Sequence, residues 1–251
     1  MNAYTTFSKV YDILMDNVDY KEWGKYIISL LKEYYVNEGL VLELGCGTGN
    51  ICEILAKCGY DVIGIDNSPE MLGVANEKKT ESGRDILYLN QDMREFELYG
   101  TVKAIVANCD SINYITDKKD LVKVFKLVNN YLDPKGVFIF DLNTEYKYKC
   151  IGDSVIAENR EDISFIWENE YLPNKKINRY DLTLFIKELD GRYLKHEETH
   201  LQKAYSLEEI KEALVKAGME YVQSYDAFTR NSPKEDSDRI YIIAREKGKG
   251  I

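Results

Sequence analysis

The chain lacks the long hydrophobic runs that membrane proteins require. None of its apolar stretches approaches the ~18 consecutive residues that cross a bilayer as a helix. The N-terminus, which reads MNAYTTFSKVYDILMD, has no basic segment followed by an apolar one, as a secretory signal would have. We therefore predict a cytoplasmic protein that has no membrane partner.

Positive charge is also in short supply. The 251 residues include 33 Lys and Arg but 43 Asp and Glu, which gives a net charge of −10 at pH 7. A protein that binds the phosphate backbone of nucleic acid prefers the opposite sign. The charge balance therefore argues against a nucleic-acid partner.

Cysteine and histidine are scarce, with five Cys and two His in the whole chain. An odd number of cysteines without CxxC pairs provides no disulfide framework and suits a reducing compartment. Cys46, Cys52 and Cys58 recur every six residues, but no clustered histidine accompanies them. We predict that these three are small buried hydrophobic residues rather than metal ligands.

Apolar strands alternating with amphipathic helices are what the sequence does contain. Strand-like runs occur at residues 40–44, 61–66, 86–90, 102–108, 136–142, 220–225 and 239–245. This alternation predicts βαβ units around an open, doubly wound parallel sheet that is buried on both faces. Residues 163–201 differ, because they form long β-branched and aromatic runs with a hairpin turn at Asp190-Gly191. We expect an α/β fold with an inserted antiparallel β-sheet.

The most informative stretch is LVLELGCGTGN, residues 40–50, an apolar strand followed by three glycines at alternate positions. Glycine is favoured where a tight strand-to-helix turn needs positive φ, or where the backbone must touch a ligand. A nicotinamide site would require GxGxxG, whereas here Glu43 precedes glycines at 45, 47 and 49. This spacing predicts a ligand without a pyrophosphate, and Glu43 can engage an ammonium group directly or through water.

Acidic residues follow the next two strands. Asp66 ends the second strand, 17 residues after Gly49, where two carboxylate oxygens can accept hydrogen bonds from both hydroxyls of a ribose. An acidic turn, Asn90 to Met93, follows the third strand. Ligands of doubly wound folds bind beyond the carboxyl ends of the strands, which is where these residues fall. Together they predict a nucleoside site.

On these motifs, residues 36–142 resemble the cofactor half of class I S-adenosylmethionine-dependent methyltransferases. The resemblance implies a Rossmann-like sheet of seven strands, with S-adenosylmethionine as the cofactor. It implies that the methionine part of this cofactor is lined by four residues, Glu43, Gly45, Gly47 and Gly49. It also implies that Asp66 holds the ribose, and that the adenine lies against Asp92 and Met93.

Outside the cofactor half, the chain resembles the branch of this family that methylates small molecules, including amino-sugar N-methyltransferases and glycine N-methyltransferase-like enzymes. The features that carry this resemblance are the Tyr11-Asp12 segment, the inserted sheet and the run from His196 to His200. It implies a core of residues 1–144 and 205–251, and it places residues 145–204 on the acceptor side. The N-terminal segment of the core, residues 1–18, either packs on the core or folds over the ligand as a helical lid. It adds Tyr11 and Asn108 to the cofactor contacts, and a monomer or a homodimer is expected.

The run HEETH, from His196 to His200, fits the HExxH motif of zinc proteases. That motif needs both histidines on one face of a helix and a third ligand, but this run follows a hairpin turn in strand-like sequence. We therefore predict no metal site. In a strand, His196, Glu198 and His200 share one face, so they are either ordinary sheet residues or a group from which His200 reaches the acceptor.

These features predict an enzyme that transfers the methyl group of S-adenosylmethionine to the nitrogen or oxygen of a small-molecule acceptor. The acceptor attacks in line with the departing sulfur, so alignment and exclusion of water matter more than acid or base chemistry. Tyr114, His200 and Tyr4 are the candidates to take a proton from an ammonium acceptor. The alternative is a non-catalytic module that binds S-adenosylmethionine or a related nucleoside.

Overall fold

The computed structural model describes residues 10–16, 18–188 and 190–249. Its α-helices are α1 (Tyr20–Glu33), α2 (Asn50–Lys57), α3 (Pro69–Ser82), α4 (Lys118–Tyr131), α5 (Glu145–Ile151) and α6 (Leu207–Lys216). A 3₁₀ turn spans Ser111–Tyr114, and residues 10–14 are also helical. Within the described ranges, no helix is long and apolar enough to cross a membrane.

The strands form two sheets. They are β1 (Gly39–Leu44), β2 (Tyr60–Asp66), β3 (Ile86–Asn90), β4 (Val102–Ala107), β5 (Leu132–Asn143), β6 (Ser154–Asn159), β7 (Ile163–Leu172), β8 (Ile177–Lys187), β9 (Tyr193–Lys203), β10 (Met219–Asp226) and β11 (Arg239–Glu246). The larger sheet has the order β10-β11-β5-β4-β1-β2-β3, and β11 runs antiparallel to both of its neighbours. The expected seven-stranded, mainly parallel sheet is confirmed.

The sequence predicts helix N-caps at Asp19 and Ser206, and both are present in the structure. The Asp19 side chain accepts the backbone N–H groups of Lys21 and Glu22 at the start of α1. Ser206 forms a full capping box with Glu209 at the start of α6. Such side chains satisfy N–H groups that have no partner inside the helix, and the signal lies within a few residues.

The core lies on both faces of the seven-stranded sheet. Leu42 and its neighbour Val41 are both fully buried, but they belong to two different hydrophobic clusters. Successive residues of a strand point to opposite faces, so a strand covered on both sides is apolar throughout. Helices α4 and α6 cover one face, and helices α1 and α2 cover the other.

The second sheet is antiparallel, with the order β6-β7-β8-β9, and it confirms the predicted insertion. One face, here called the inner face, carries Leu182, Leu184 and Ile186, which pack against Val10 of the N-terminal helical segment. In β9, His196, Glu198 and His200 are half-buried, whereas the alternate residues are exposed. The HEETH run is therefore a strand, and its two histidines do not share a helical face.

The structure also differs from the sequence-based expectations. The sequence DPKG at residues 133–136 predicts a turn after α4, but in the structure it lies inside β5 as a bulge, since Leu132 pairs with Val102 but Val137 pairs with Ala104. Strand β6 and helix α5 were not predicted, because β6 is exposed along most of its length and α5 has only seven residues. Cys58 is exposed, so the expectation that it is buried is wrong.

Candidate active site

A cleft opens at the carboxyl ends of β1 and β4, which are neighbours in the sheet although they are not consecutive in the chain. At this position the chain connections leave in opposite directions, and doubly wound folds bind ligands there. The cleft has an empty volume of about 320 Å³. Its lining consists of Tyr11, Tyr20, Glu43, Gly45, Cys46, Gly47, Thr48, Asn50, Ile51, Asn108 and Cys109.

The three glycines of the turn after β1 all have positive φ, but they are needed for different reasons. A Cβ on Gly45 would lie 2.7 Å from the Ser111 Cβ, and one on Gly49 would lie 2.3 Å from the Tyr88 hydroxyl. A Cβ on Gly47 would meet nothing within 4 Å. Gly47 is therefore the one of the three at which a side chain would meet open space, whereas neighbouring side chains crowd Gly45 and Gly49, and Gly45 also lines the cleft.

Glu43, near the end of β1, is almost fully buried at the base of the cleft. Its Oε2 accepts a hydrogen bond from the Cys52 Sγ at 3.0 Å, and its Oε1 accepts one from the Asn108 Nδ2 at 3.3 Å. Burial raises the pKa of Glu43 to about 7, against the lowering effect of these two hydrogen bonds. Without a ligand, the carboxyl group is therefore partly protonated near neutral pH.

Replacing Glu43 with Gln is expected to change how stability depends on pH. Because the folded pKa of about 7 exceeds the ordinary value of 4.5, the native state binds the proton more tightly, and native stability falls as pH rises through that interval. Glutamine does not titrate. We expect the unfolding free energy of Glu43→Gln to gain about 2 to 3 kcal/mol on the native protein between pH 5 and pH 8.

Urea unfolding of both proteins at the two pH values measures this difference. Glu38→Gln, on the exposed surface just before β1, is the matched control. A difference between Glu43→Gln and the native protein that does not change with pH would contradict a protonated Glu43.

Asp66 is hydrogen-bonded to the glycine turn. Its Oδ2 accepts the Gly47 N–H at 2.8 Å, and its Oδ1 accepts the Ser68 N–H at 2.9 Å. Burial raises the pKa of Asp66, although these backbone hydrogen bonds lower it. Each carboxylate oxygen has a second lone pair, so the group can still accept hydrogen bonds from a ligand.

Asp92 and Met93 follow β3 and lie outside the cleft lining, as do Gly49 and Asp66. Asp92 forms a forked hydrogen bond with the Arg94 guanidinium, which lowers the pKa of Asp92. The Met93 methyl carbon lies 3.3 Å from the position that a Cβ on Gly45 would take. Met93 therefore packs against the glycine turn, whereas Asp92 is held by its neighbour.

The N-terminal helical segment is tied to the glycine turn through Asp12. Its Oδ1 accepts hydrogen bonds from Thr48 Oγ1 at 2.8 Å and Asn50 Nδ2 at 2.9 Å, and its Oδ2 lies 2.6 Å from Lys78 Nζ. Although burial raises it, these three partners together lower the pKa of Asp12. The preceding residue, Tyr11, lines the cleft. Tyr4 lies outside the described residues.

A buried ion-pair network follows β4. Arg239 of β11 bonds both Asp141 of β5 and Asp110, with a distance of 2.8 Å from Nη2 to the Asp110 Oδ1. The other Asp110 oxygen accepts Gln202 Nε2 of β9 at 2.5 Å. Cys109 and Asp110 both have a φ of 55°. Left-handed backbone costs about 1 to 2 kcal/mol per non-glycine residue, and the ion pairs hold it in place.

Tyr114 and His200, the two described candidates for proton transfer, meet beside this network. The Tyr114 hydroxyl lies 2.6 Å from the Tyr180 hydroxyl of β8, and the Tyr114 ring meets the His200 ring edge-on at 5.8 Å. The His200 Nε2 lies 3.1 Å from the Glu198 Oε2. Across residues 10–249, apart from positions 17 and 189, no group of His, Cys, Asp and Glu is arranged to hold a metal ion.

Sequence reasoning missed several of these residues. Tyr20, Asn50 and Cys109 line the cleft, and Arg239 anchors the ion-pair network. The available signal was weak: an arginine at the start of an otherwise apolar strand, and polar residues flanking a glycine turn. Their neighbours are distant in sequence, so no periodicity indicates them.

The cleft suits S-adenosylmethionine. The Asn108 Oδ1 is buried without a hydrogen-bond partner among the described residues, so it can accept a hydrogen bond from a ligand. Glu43 lines the cleft, and Asp66 at the end of β2 keeps lone pairs that can accept further hydrogen bonds. The open space above Gly47 lets such a ligand approach the backbone.

Known proteins with similar sequences and structures include methyltransferases. The Methyltransferase domain family matches residues 41–136. The chain is 36% identical to the putative methyltransferase YqeM of Bacillus subtilis (strain 168), over 97% of each protein. A crystal structure of an S-adenosylmethionine-dependent methyltransferase from Clostridium acetobutylicum superposes with a TM-score of 0.87, at 30% identity, and the match covers 98% of this chain and 100% of that one.

A more distant structure shares the fold. It is an amino pentose methyltransferase from Micromonospora echinaspora solved with S-adenosylmethionine bound, with a TM-score of 0.72 and 16% identity, and the match covers 95% of this chain and 97% of that one. The same family is indicated by the sequence similarity along the whole chain, by the seven-stranded sheet and by the fit of the cleft. The chain therefore belongs to the class I S-adenosylmethionine-dependent methyltransferases, an enzyme family whose methyl donor is S-adenosylmethionine.

Proposed function

We propose that this enzyme methylates a nitrogen or oxygen atom of a small-molecule acceptor, which binds between the cofactor cleft and the inner face of the antiparallel sheet. Because the chain belongs to an enzyme family, the alternative of a non-catalytic binding module is set aside. In this proposal residues 145–204 form the acceptor side, and the remainder forms the cofactor core.

The observation that carries the proposal is the contact between Tyr114 and the antiparallel sheet. Tyr114 ends the 3₁₀ turn that follows β4, the strand whose end lines the cleft, and its hydroxyl bonds Tyr180 of β8. Burial chiefly raises the pKa of Tyr11, in the cleft lining, and the Tyr114 phenol adds to that rise. The sheet is thus fixed next to the cofactor cleft.

The N-terminal helical segment supports a small acceptor rather than a macromolecule. Val10 is buried against Leu182 and Leu184 of the inner face, and Leu14 packs on the same cluster. This segment therefore covers part of the space between the sheet and the glycine turn. The net charge of −10 also disfavours a nucleic-acid acceptor.

Each site residue has a distinct part in this proposal. Glu43 and the glycine turn hold the methionine end of the cofactor, Asp66 holds the ribose, and Asp92 with Met93 borders the adenine. Tyr11 and Asn108 complete the contacts. S-adenosylmethionine supplies a methyl group on a positively charged sulfur, which is a good leaving group. Tyr114 and His200 orient the acceptor and take a proton where one must leave.

Transfer of labelled methyl groups tests the proposal. The purified enzyme is incubated with S-adenosylmethionine carrying a tritiated methyl group and with a cell extract divided into a small-molecule filtrate, a protein fraction and a nucleic-acid fraction. We expect label to enter the small-molecule filtrate. Label that enters only protein or nucleic acid would overturn the small-molecule acceptor.

Replacing Tyr114 with Phe is expected to slow methyl transfer without weakening cofactor binding. The variant keeps the ring but loses the hydroxyl that bonds Tyr180. A hydrogen bond is worth about 0.5 to 1.5 kcal/mol, so we expect a fall in kcat of about threefold to tenfold. The transfer assay on the active filtrate gives kcat, and calorimetry gives the cofactor Kd.

Tyr99→Phe is the matched control, since Tyr99 is fully exposed and far from this contact. A loss of cofactor affinity in Tyr114→Phe equal to its loss of activity would place Tyr114 on the cofactor side instead.

A further inference from the structure

Three rings are stacked on the inner face of the antiparallel sheet. Trp167 of β7 stacks on Tyr180 of β8 with ring centroids 4.8 Å apart, and Tyr180 stacks on His200 of β9 at 5.1 Å. The edge of Tyr114 closes one end of this row. Tyr180 is buried, whereas Trp167 and His200 are half-buried, so the row has an accessible side.

Glu198 adds a carboxylate to this aromatic row. It pairs in register with Leu182, which pairs with Trp167, so it lies one row away from Tyr180 and His200 on the same face. Its side chain is only 11% exposed, and its Oε2 faces the His200 Nε2. The other oxygen, Oε1, has no hydrogen-bond partner among the described residues, yet it is not sealed from the surface.

No lysine or arginine of the described chain neutralises Glu198. Its one ion-pair partner within 4.0 Å is His200, which is charged only when it is protonated. A largely buried carboxylate without a cation is costly. Arg239, the nearby guanidinium, is already held by Asp110 and Asp141. The inner face therefore carries a carboxylate that is not paired with a lysine or arginine of the described residues.

The other groups described below, which also face this region, provide no positive charge to pair with Glu198. Burial chiefly raises the pKa of the Tyr114 and Tyr180 phenols, and the negative charge of Asp110 adds to that rise. Both phenols are neutral, and Gln202 of β9 is a neutral donor to Asp110. The stacking covers both faces of Tyr180, so the row presents ring edges beside Glu198, and the Glu198 carboxylate is the group that attracts an ammonium ion there. A neutral hydroxyl would leave the carboxylate charge unbalanced.

We propose that Trp167, Tyr180, His200 and Glu198 form the acceptor subsite, that this subsite takes a cationic amine, and that Glu198 determines this specificity. The proposal rests on the proposed function and narrows its acceptor from nitrogen or oxygen to an amine that is charged when it binds. Glu198 supplies the opposite charge, the aromatic row forms one wall of the subsite, and Tyr114 joins the subsite to the cofactor cleft. Before transfer the ammonium group gives a proton to His200, the freed nitrogen lone pair attacks the methyl carbon, and the sulfur leaves as S-adenosylhomocysteine.

A pair of probes that differ only in charge tests the subsite. Choline carries a trimethylammonium group, and 3,3-dimethylbutan-1-ol has the same shape with a neutral tert-butyl group. Calorimetry on the full chain, saturated with S-adenosylhomocysteine, measures the affinity for each probe. We expect choline to bind at least tenfold more tightly than the alcohol, and Glu198→Gln to remove that difference.

The matched control is Glu197→Gln, on the same strand but the opposite face, with a side chain that is 67% exposed. We expect Glu197→Gln to keep the preference for choline, and both variants to bind S-adenosylhomocysteine as the native protein does. Equal affinity for the two probes, or equal losses in the two variants, would overturn the proposal. Fluorescence of Trp167 in a Trp23→Phe background gives a second reading, since the chain has only two tryptophans.

The nature of the labelled product separates this inference from the proposed function. A labelled small molecule that cation-exchange resin retains at pH 7 supports the amine subsite. A labelled small molecule that is neutral overturns the subsite but leaves the small-molecule acceptor intact. Label found only in macromolecules overturns the proposed function itself.

Discussion

Asp66→Asn is expected to bind S-adenosylmethionine about a hundredfold more weakly than the native protein. The variant keeps the size of the side chain but replaces one carboxylate oxygen with an N–H donor. Both oxygens of Asp66 already accept backbone N–H groups, from Gly47 and Ser68, so the new donor opposes one of them as well as the ribose hydroxyls. Hydrogen bonds to a charged group are worth about 1.5 to 3 kcal/mol each, and a hundredfold loss is about 2.7 kcal/mol.

Calorimetric titration with S-adenosylmethionine measures the effect. Asp61→Asn is the control, because Asp61 lies exposed at the other end of the same strand. Thermal unfolding of both variants shows whether the fold is kept. If Asp66→Asn bound the cofactor with native affinity, the assignment of the ribose to Asp66 would be refuted.

Gly47→Ala and Gly49→Ala are expected to fail in different ways. At Gly49 a Cβ would lie 2.3 Å from the Tyr88 hydroxyl, at a φ of 78°, so we expect a loss of about 2 to 5 kcal/mol of stability. At Gly47 the φ is 53° and a Cβ meets no atom within 4 Å, so only the strain of about 1 to 2 kcal/mol applies. Because Gly47 lines the cleft, the added methyl group narrows the space for the cofactor, and we expect cofactor binding to fall by at least tenfold.

Gly83→Ala separates strain from the loss of the cleft. Gly83 has a φ of 66° and open space around it, but it ends α3 away from the cleft. We expect Gly83→Ala and Gly47→Ala to lose similar stability in urea unfolding, and only Gly47→Ala to lose cofactor affinity. Native affinity in Gly47→Ala would show that the ligand does not pass over this residue.

The parts of the fold that were predictable depend on signals close together in sequence. Strand β3 was predicted with its observed limits, and the caps at Asp19 and Ser206 were predicted from the residues around them. Strand β6 was missed because nearly all of it is exposed, so it carries no alternation of apolar and polar residues. The bulge in β5 was read as a turn because proline and glycine indicate a break but not its shape.

The parts of the site that were not predictable depend on contacts between distant residues. Asp110 and Arg239 are 129 positions apart, and Asp110 and Gln202 are 92 positions apart. No local pattern indicates that these side chains meet. The glycine turn shows the same limit on a small scale, because Tyr88 and Ser111, which leave no room at Gly49 and Gly45, come from other strands and loops.

The sequence by itself determined the doubly wound fold, the glycine turn and the acid at the end of β2, because hydrophobic periodicity and motif spacing act over about 25 residues or fewer. Only the tertiary structure decided which glycine has open space beside it and whether Glu43 is protonated. It also decided that Glu198 and His200 face Tyr180 and Tyr114. The physical reason is strand register. A shift of one residue in the pairing of β8 with β9 would turn Glu198 and His200 to the opposite face, and that pairing is set by the whole packed molecule.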